Sequence, residues 1–361
     1  MLCRSRESIS HKQSSDPGSQ WRCLASKTCF RPRVRSANHL MRVSILILHS
    51  AKNNNNDIRA LAFLPDERLC IVSNIVQLRR LDGHLLAEPP EPTIGIFAVA
   101  VSKDGSWVVT GAIDGFVIWN LMQGRVVRHS MGRVRTIDIS SDSKWVATGS
   151  DDYAADVWDI STGQRCPGLE TLRHEYNVIA VKFCPCGDRI ATATLFGFVQ
   201  IFATASGHKL LTIPTVINST VSVPNATLVW STLLPYILVV SQGYLKCFDS
   251  DDASLVFEWP MHGVSHPSSV ALSPNSKIIA YSVNDTVLLQ DTATFQQIGD
   301  VLEYDGNVPC ITFSPGGDRL AVGVDTKFII QDLRKLRLDT SYFVDVSTST
   351  CVVLPDLTIR H

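Results

Sequence analysis

One pattern recurs along this chain: a run of alternating apolar residues, a tight polar turn, a second run, a second turn and a third run. Its clearest copy spans residues 134–159, with polar breaks at 141–143 and 149–152. Alternation with a period of two residues predicts β-strands, and short polar breaks between such runs predict antiparallel hairpins. The chain is therefore expected to fold into small antiparallel sheets.

The spacing of the copies predicts how the sheets are arranged. The seven copies span residues 58–86, 97–127, 134–163, 178–211, 227–249, 269–291 and 310–332. Their first turns fall at Asp66, Asp104, Asp142, Cys186, Leu233, Asn275 and Gly316, at intervals of 38, 38, 44, 47, 42 and 41 residues. A period of roughly 40–45 residues is typical of four-stranded propeller blades. We predict an all-β, seven-bladed β-propeller of four-stranded antiparallel blades, whose fifth blade is degenerate.

Short motifs within the copies add a family resemblance. Trp158 and Asp159 end the third copy, Trp119 and Asn120 end the second, and Thr162-Gly163 follows the third. With the Gly-Ser and Ser-Pro turns, these motifs make residues 43–340 resemble the WD-repeat family. The sixth and seventh copies depart from it, because they carry Gln-Asp in place of Trp-Asp. Its divergent repeats, with Ser-Pro-x-Gly turns and poorly kept Trp-Asp dipeptides, make the chain similar to the C-terminal propellers of fungal NACHT-type WD-repeat proteins.

The resemblance implies a buried polar tetrad in some blades, which joins a loop His, a strand Ser or Thr, a turn Asp and the Trp. The third copy offers all four residue types, as His129, Thr148, Asp152 and Trp158. The other copies lack one or more of them. Most blades are therefore expected to be held by apolar packing between sheets, since a net hydrogen bond contributes only about 1 kcal/mol.

The termini differ in character from the repeats. Residues 1–41 lack a sustained period, and residues 1–42 carry nine basic and two acidic residues, a net charge of +7. We predict a disordered basic arm at 1–41, the propeller at 42–340 and a C-terminal extension at 341–361; a transit peptide and an incorrect first exon are alternatives for the arm. A closed ring avoids exposed sheet edges. The strand at 43–48 is expected to complete the last blade, in preference to its rival at 342–346.

Composition excludes several classes of protein. The 33 Lys and Arg residues against 34 Asp and Glu give a net charge of −1, so no bulk field favours nucleic acid or membrane. The longest apolar runs fall far short of the roughly 20 residues of a membrane helix. Ten cysteines without a paired spacing indicate a reduced intracellular protein, cytoplasmic or nuclear.

The sequence contains few motifs that indicate catalysis, nucleotide binding or metal binding. The sequence contains no P-loop, no dinucleotide fingerprint and no His-Glu-x-x-His zinc motif. Cys184-Pro185-Cys186 could offer soft metal ligands, but it stands where neighbouring copies have Ser-Pro-x-Gly, and we interpret it as a turn with two substituted thiols. No catalysis, cofactor, metal or small-molecule substrate is expected. A monomeric propeller that binds other proteins within a complex is the favoured function.

Residues on loops of a rigid scaffold are the usual site of function. The family resemblance implies a top face built from the loops between blades and the turns between second and third strands. The candidates there are of types common at interface hot spots, although several could simply cap their own blades: Arg133, Tyr153, Arg173, His174, Tyr176, Phe196, His262, His266 and Tyr304.

Two alternative functions stay open. Asp332 and Arg334 retain half of the box by which some WD-repeat proteins dock on cullin–RING ligase adaptors, which would make this chain a substrate receptor. Gln331 stands where that box has Trp. Alternatively, the basic arm could bind RNA and make this an RNA-associated propeller.

Overall fold

The computed structural model describes residues 46–49, 57–89, 95–195, 198–215, 227–232, 235–241, 244–260, 269–294, 296–336 and 340–343. Within them the chain forms seven four-stranded antiparallel sheets. The first strand, β1 (Leu46–His49), joins the last sheet and not the first. The seven predicted blades are confirmed.

Blades 1 to 3 are consecutive in sequence. Blade 1 contains β2 (Ala60–Phe63), β3 (Leu69–Val72), β4 (Val76–Arg79) and β5 (Leu85–Ala87). Blade 2 contains β6 (Ile96–Val101), β7 (Trp107–Ala112), β8 (Gly115–Asn120) and β9 (Val126–Ser130). Blade 3 contains β10 (Val134–Ile139), β11 (Trp145–Ser150), β12 (Ala154–Asp159) and β13 (Leu172–Arg173).

Blades 4 to 6 repeat the same order. Blade 4 contains β14 (Val178–Phe183), β15 (Arg189–Thr194), β16 (Phe198–Ala203) and β17 (Lys209–Pro214). Blade 5 contains β18 (Thr227–Trp230), β19 (Tyr236–Ser241), β20 (Tyr244–Asp249) and β21 (Leu255–Pro260). Blade 6 contains β22 (Ser269–Leu272), β23 (Ile278–Val283), β24 (Thr286–Asp291) and β25 (Leu302–Glu303). The degenerate fifth copy is thus a complete blade.

Blade 7 closes the ring with strands from both ends of the repeat region. It contains β26 (Cys310–Phe313), β27 (Arg319–Val324) and β28 (Lys327–Asp332), and β1 pairs antiparallel with β28. The register runs from Leu46 opposite Ile330 to His49 opposite Lys327. The predicted closure by the N-terminal strand is therefore confirmed for these residues, while 43–45 lie outside the described part.

The rival C-terminal strand is not formed where the structure describes it. Two short 3-10 helices follow the last blade, η1 (Leu333–Leu336) and η2 (Thr340–Phe343). Tyr342 donates its hydroxyl to Asp291 Oδ2 at 2.6 Å, and its carbonyl accepts from Asn275 Nδ2 at 2.6 Å. These bonds hold η2 on blade 6, and β1 already occupies the edge that a C-terminal strand would need. Residues 344–361 lie outside the described residues, as do 1–41.

The core lies between the blades and is made mainly by the two middle strands of each sheet, with buried residues of the first strands, such as Val134 and Ile137, packed against them. In blade 2, all six residues of β8 are buried, and β7 is buried from Val108 onward. Trp119 and Trp158 pack into successive clusters with apolar residues of neighbouring strands. Burial of an apolar side chain of this size contributes roughly 1.5–3 kcal/mol, so apolar packing between sheets dominates, as predicted.

Candidate partner-binding face

The topology places the loops of each blade on two opposite faces. Successive strands run antiparallel, so the turn between second and third strands and the loop to the next blade leave the same end of the sheet. We call this end the top face. The turns between first and second strands and between third and fourth strands form the bottom face.

Six of the nine predicted binding residues are described, and all six lie on the top face. Arg133 follows β9, Tyr153 is in the turn before β12, and four lie in or beside loops between blades: Arg173, His174, Tyr176 and Tyr304. Phe196, His262 and His266 lie outside the described residues. The structure brings Arg133, Tyr153 and the 173–176 segment together where blades 3 and 4 meet, whereas Tyr304 lies in the loop between blades 6 and 7.

Asp151, which the sequence pattern places in an exposed turn, organises this corner. Its carboxylate forms ion pairs with Arg135 and, at 3.7 Å, with Arg133 Nη1. Asn177 of the next blade donates to its Oδ1 at 2.9 Å. Partial burial opposes ionisation, but the hydrogen bonds from Arg135 and Asn177 and the two guanidinium charges outweigh it and lower the pKa of Asp151. The carboxylate therefore joins the loops of two blades into one surface.

The same face carries most of the exposed apolar surface that lies outside the outer strands. Five large apolar side chains more than a third exposed lie on it: Phe97, Ile113, Tyr153, Phe198 and Tyr244. Among the described residues, the bottom face exposes two, Met122 and Val301. Arg133 adds a cation–π contact, with Cζ 5.2 Å from the centre of the Phe97 ring. An exposed apolar group with nearby arginines is typical of a protein-binding surface.

Two of the predicted binding residues, His174 and Tyr304, have buried polar atoms in their side chains. Both ring nitrogens of His174 are buried without a hydrogen-bond partner, and the ring packs edge-on against Phe202 at 5.6 Å. Burial lowers the pKa of His174 to about 4, against a smaller opposing effect of nearby Gln200. The Tyr304 hydroxyl is likewise buried without a partner, and burial raises its pKa. Burial of these atoms favours the capping role, the alternative that the sequence left open for such residues.

A small pocket connects this capping histidine to the exposed surface. It has a volume of about 220 Å³, and its walls include His174, Tyr176, Phe198 and Lys209. Tyr153 adjoins it, since its carbonyl accepts a hydrogen bond from the His174 amide at 2.9 Å. The 173–176 segment is therefore continuous with Tyr153 on one side and Phe198 on the other.

The predicted tetrad of blade 3 is only half formed. Trp158 Nε1 donates to Thr148 Oγ1 at 2.9 Å. His129 Nε2, in contrast, is buried without a partner, and the ring stacks on Phe116 at 4.6 Å. Asp152 Oδ1 accepts from the amide of Ala154 at 3.2 Å, inside its own turn. The predicted four-membered network is thus wrong. The His129 ring stacks on Phe116, and the Asp152 carboxylate accepts a hydrogen bond within its own turn.

The two candidate ligase-docking residues, Asp332 and Arg334, lie on the bottom face and form an ion pair with each other. Arg334 Nε is 3.1 Å from Asp332 Oδ1, and Arg334 Nη1 is 3.3 Å from Asp318 Oδ2. Gln331, in the place of the expected Trp, is buried with 4% of its surface exposed. The ion pairs at the exit of β28 explain Asp332 and Arg334 as local structure.

Comparison with known proteins supports the architecture. The WD domain, G-beta repeat family matches residues 75–120 and 123–159. These ranges end at Asn120 and Asp159, the last residues of β8 and β12. The chain is thus a seven-bladed β-propeller, part of which is similar to WD repeats. The matched ranges lie within blades 1 to 3 and include Trp119 of β8 and Trp158 of β12.

Three relatives each align with about two-fifths of this chain. Protein groucho of Drosophila melanogaster is 26% identical over 43% of the chain and 22% of its own length. Transcription initiation factor TFIID subunit 5 of Caenorhabditis elegans is 35% identical over 39% of the chain and 22% of its own length. Periodic tryptophan protein 2 of Arabidopsis thaliana is 25% identical over 44% of the chain and 19% of its own length. The chain thus spans about a fifth of the length of these relatives.

Two further observations concern membranes and metals. No helix in the described part of the propeller is long and apolar enough to cross a membrane. The described residues include one group of potential metal ligands, Cys184, Cys186 and Asp188 on the bottom face, whose ligand atoms lie within 4.8 Å of one another.

Proposed function

We propose that this propeller is a non-catalytic scaffold that binds partner proteins through its top face, at the corner shared by blades 3 and 4. The observation that carries the proposal is the uneven distribution of exposed apolar groups between the two faces. Tyr153 is 48% exposed and Phe198 is 41% exposed, on either side of the exposed Arg173. Removing such groups from water on binding is favourable, and arginine adds directional hydrogen bonds.

The rigidity of this corner supports the same function. Asp151 ties Arg133 and Arg135 of blade 3 to Asn177 of blade 4, so the loops are held before a partner arrives. A preorganised surface loses less conformational freedom on binding than a mobile one. Tyr153 has a φ of 66°, which only a constrained turn imposes on a non-glycine residue.

The relatives suggest a setting for this activity. One of them is named a subunit of a transcription initiation factor, and a subunit acts within a larger assembly. We propose by analogy that this propeller works as one component of a protein complex, in the nucleus or the cytoplasm. The similarity to the propellers of fungal NACHT-type proteins would make it a sensor component.

The test compares two faces of one molecule. The full chain is used to purify partners from lysate of the source cells, and the retained proteins are identified by mass spectrometry. A triple variant, Tyr153→Ala with Arg173→Ala and Phe198→Ala, should lose partners that the parent retains. Met122→Ala is the matched control, because it removes an 81% exposed apolar side chain from the opposite face. Partners kept by the triple variant, after circular dichroism confirms its fold, would refute the proposed face.

A further inference from the structure

The turn between the first and second strands follows one design in blades 2, 3, 6 and 7. Each begins with a buried serine whose hydroxyl accepts a hydrogen bond from the backbone amide five residues later, at 2.9–3.0 Å. The same hydroxyl donates to a carboxylate or amide oxygen within the turn. These serines are Ser102, Ser140, Ser273 and Ser314. The serine therefore closes the turn from inside.

Blade 4 keeps this design but replaces the hydroxyl by a thiol. Cys184 is 2% exposed, and its Sγ accepts the amide of Arg189 at 3.2 Å. Its thiol lies 2.9 Å from Asp188 Oδ1, the contact that Ser314 makes with Asp318 in blade 7. Since serine satisfies the same bonds, the sulfur of Cys184 is not required by the turn.

A second thiol converges on the same point. Cys186 is exposed, and its Sγ lies 2.9 Å from Cys184 Sγ and 2.9 Å from Asp188 Oδ1. Blade 7 has Gly316 at this position and forms the same turn without it. Two sulfur atoms and one carboxylate oxygen therefore lie within 4.8 Å of one another at a site where folding requires neither sulfur.

We propose that Cys184, Cys186 and Asp188 form a binding site for Zn²⁺ on the bottom face of blade 4. Sulfur with carboxylate oxygen is a donor set that Zn²⁺ accepts, at about 2.3 Å from sulfur and 2.0–2.2 Å from oxygen. A tetrahedral arrangement places the two sulfurs roughly 3.7 Å apart, so they separate by about 0.8 Å on binding. Cys186 can make this movement because it lies at the exposed tip of the turn.

The surroundings suit an ion with this donor set. The Arg189 amide already points at Cys184 Sγ, and such outer hydrogen bonds orient metal ligands. Two thiolates and a carboxylate around Zn²⁺ leave one negative charge beside the Arg189 guanidinium. A cleft of about 250 Å³ beside the three ligands leaves room for a water as fourth ligand.

Metal binding here would stabilise the junction of two blades. Arg189, next in sequence to Asp188, donates to the Ser250 carbonyl at 2.8 Å and pairs with Asp251 at 2.6 Å. Both acceptors belong to blade 5. An ion that rigidifies the 184–188 turn therefore also holds the base of this inter-blade contact. Because the site lies on the bottom face, it is independent of the proposed top-face activity.

The test is a Co²⁺ titration of the reduced full chain, with Co²⁺ as the spectroscopic substitute for Zn²⁺. The parent should bind one equivalent with a sulfur-to-cobalt charge-transfer band that added Zn²⁺ removes. The double variant Cys184→Ser with Cys186→Gly should lose that band. This variant recreates the residues of the blade 7 turn, so it is expected to fold. Cys166→Ser, which removes a half-buried thiol elsewhere, is the matched control and should keep the band.

The chain has ten cysteines, so the difference between parent and double variant is the deciding quantity. An equal band in both, or none in the parent, would overturn the site. Asp188→Asn gives a second measurement that keeps both thiols. It should retain the band but weaken Co²⁺ affinity at least tenfold, and unchanged affinity would count against carboxylate ligation. Saturating Zn²⁺ should raise the melting temperature of the parent and leave that of the double variant unchanged.

Discussion

The indole of Trp158 donates a hydrogen bond to Thr148 Oγ1 at 2.9 Å, and both side chains are buried. In the register of blade 4, the corresponding residues are Thr192 and Phe202, which cannot form this bond because phenylalanine has no N–H. The two blades thus contain the same threonine with and without its aromatic donor.

This pair makes the contribution of the bond measurable. Thr148→Val removes the acceptor at nearly constant volume and leaves the indole N–H buried and unpaired, which costs about 1–3 kcal/mol. Thr192→Val is the matched control, because it loses only a 3.4 Å contact with the Gln200 carbonyl. Urea unfolding at neutral pH should show a larger loss for Thr148→Val. Equal losses would show that the indole bond adds nothing to stability.

Gly163 and Gly124 occupy the same turn position in blades 3 and 2, with φ of 73° and 65°. A Cβ atom at 163 would lie 2.6 Å from His129 Nε2, whereas nothing lies within 4 Å of one at 124. Gly124→Ala should therefore cost about 1 kcal/mol of backbone strain. Gly163→Ala should cost about 1–3 kcal/mol more, because His129 must move out of its stack. Thermal unfolding of both variants checks this, and similar melting temperatures would contradict the packing of His129.

His174 should impose a pH dependence on stability. Its pKa is lowered to about 4 by burial, so the unfolded chain binds a proton that the folded chain does not. The stabilising effect of the neutral ring is complete above an unfolded pKa of about 6.5 and is lost as pH falls toward 4. His174→Phe should flatten the stability profile in that window by up to about 1.4 kcal/mol per pH unit. Denaturant unfolding between pH 4 and 7 measures the slope.

His208 provides the control for this titration. It is exposed in the turn before β17, so His208→Gln should leave the slope unchanged. A flattened profile in His208→Gln, or an unchanged one in His174→Phe, would assign the pH dependence to other groups.

The closure of blade 7 predicts a difference between two truncations. Removal of residues 1–50 deletes β1 and exposes the edge of β28, so the melting temperature should fall by more than about 5 °C. Removal of residues 1–41 leaves β1 in place and should change the melting temperature little. Differential scanning calorimetry of both chains makes the comparison, and equal melting would show that β1 contributes nothing to the ring.

Much of the fold could be predicted because each blade is a local structure. Alternating apolar residues, the Asp142 turn and the repeat spacing lie within short segments, and neighbouring strands pair directly. Pairing of β1 with β28 is non-local, yet the sequence favoured it over the rival strand at 342–346, since the segment at 43–48 precedes the first copy without a hairpin partner of its own. The tetrad was not, because the orientations of His129 and Asp152 depend on packing against Phe116 and on the local turn.

The sequence by itself determined the number of blades, their order and the side of the ring to which each loop belongs, since these follow from strand periodicity and antiparallel connection. Only the tertiary structure decided which loop residues face solvent and which side chains meet. It turned His174 inward, made Asp151 the link between two blades and brought Asp188 to the thiols of Cys184 and Cys186. The physical reason is that side-chain direction and burial depend on contacts between blades, and no pattern along a single strand encodes them.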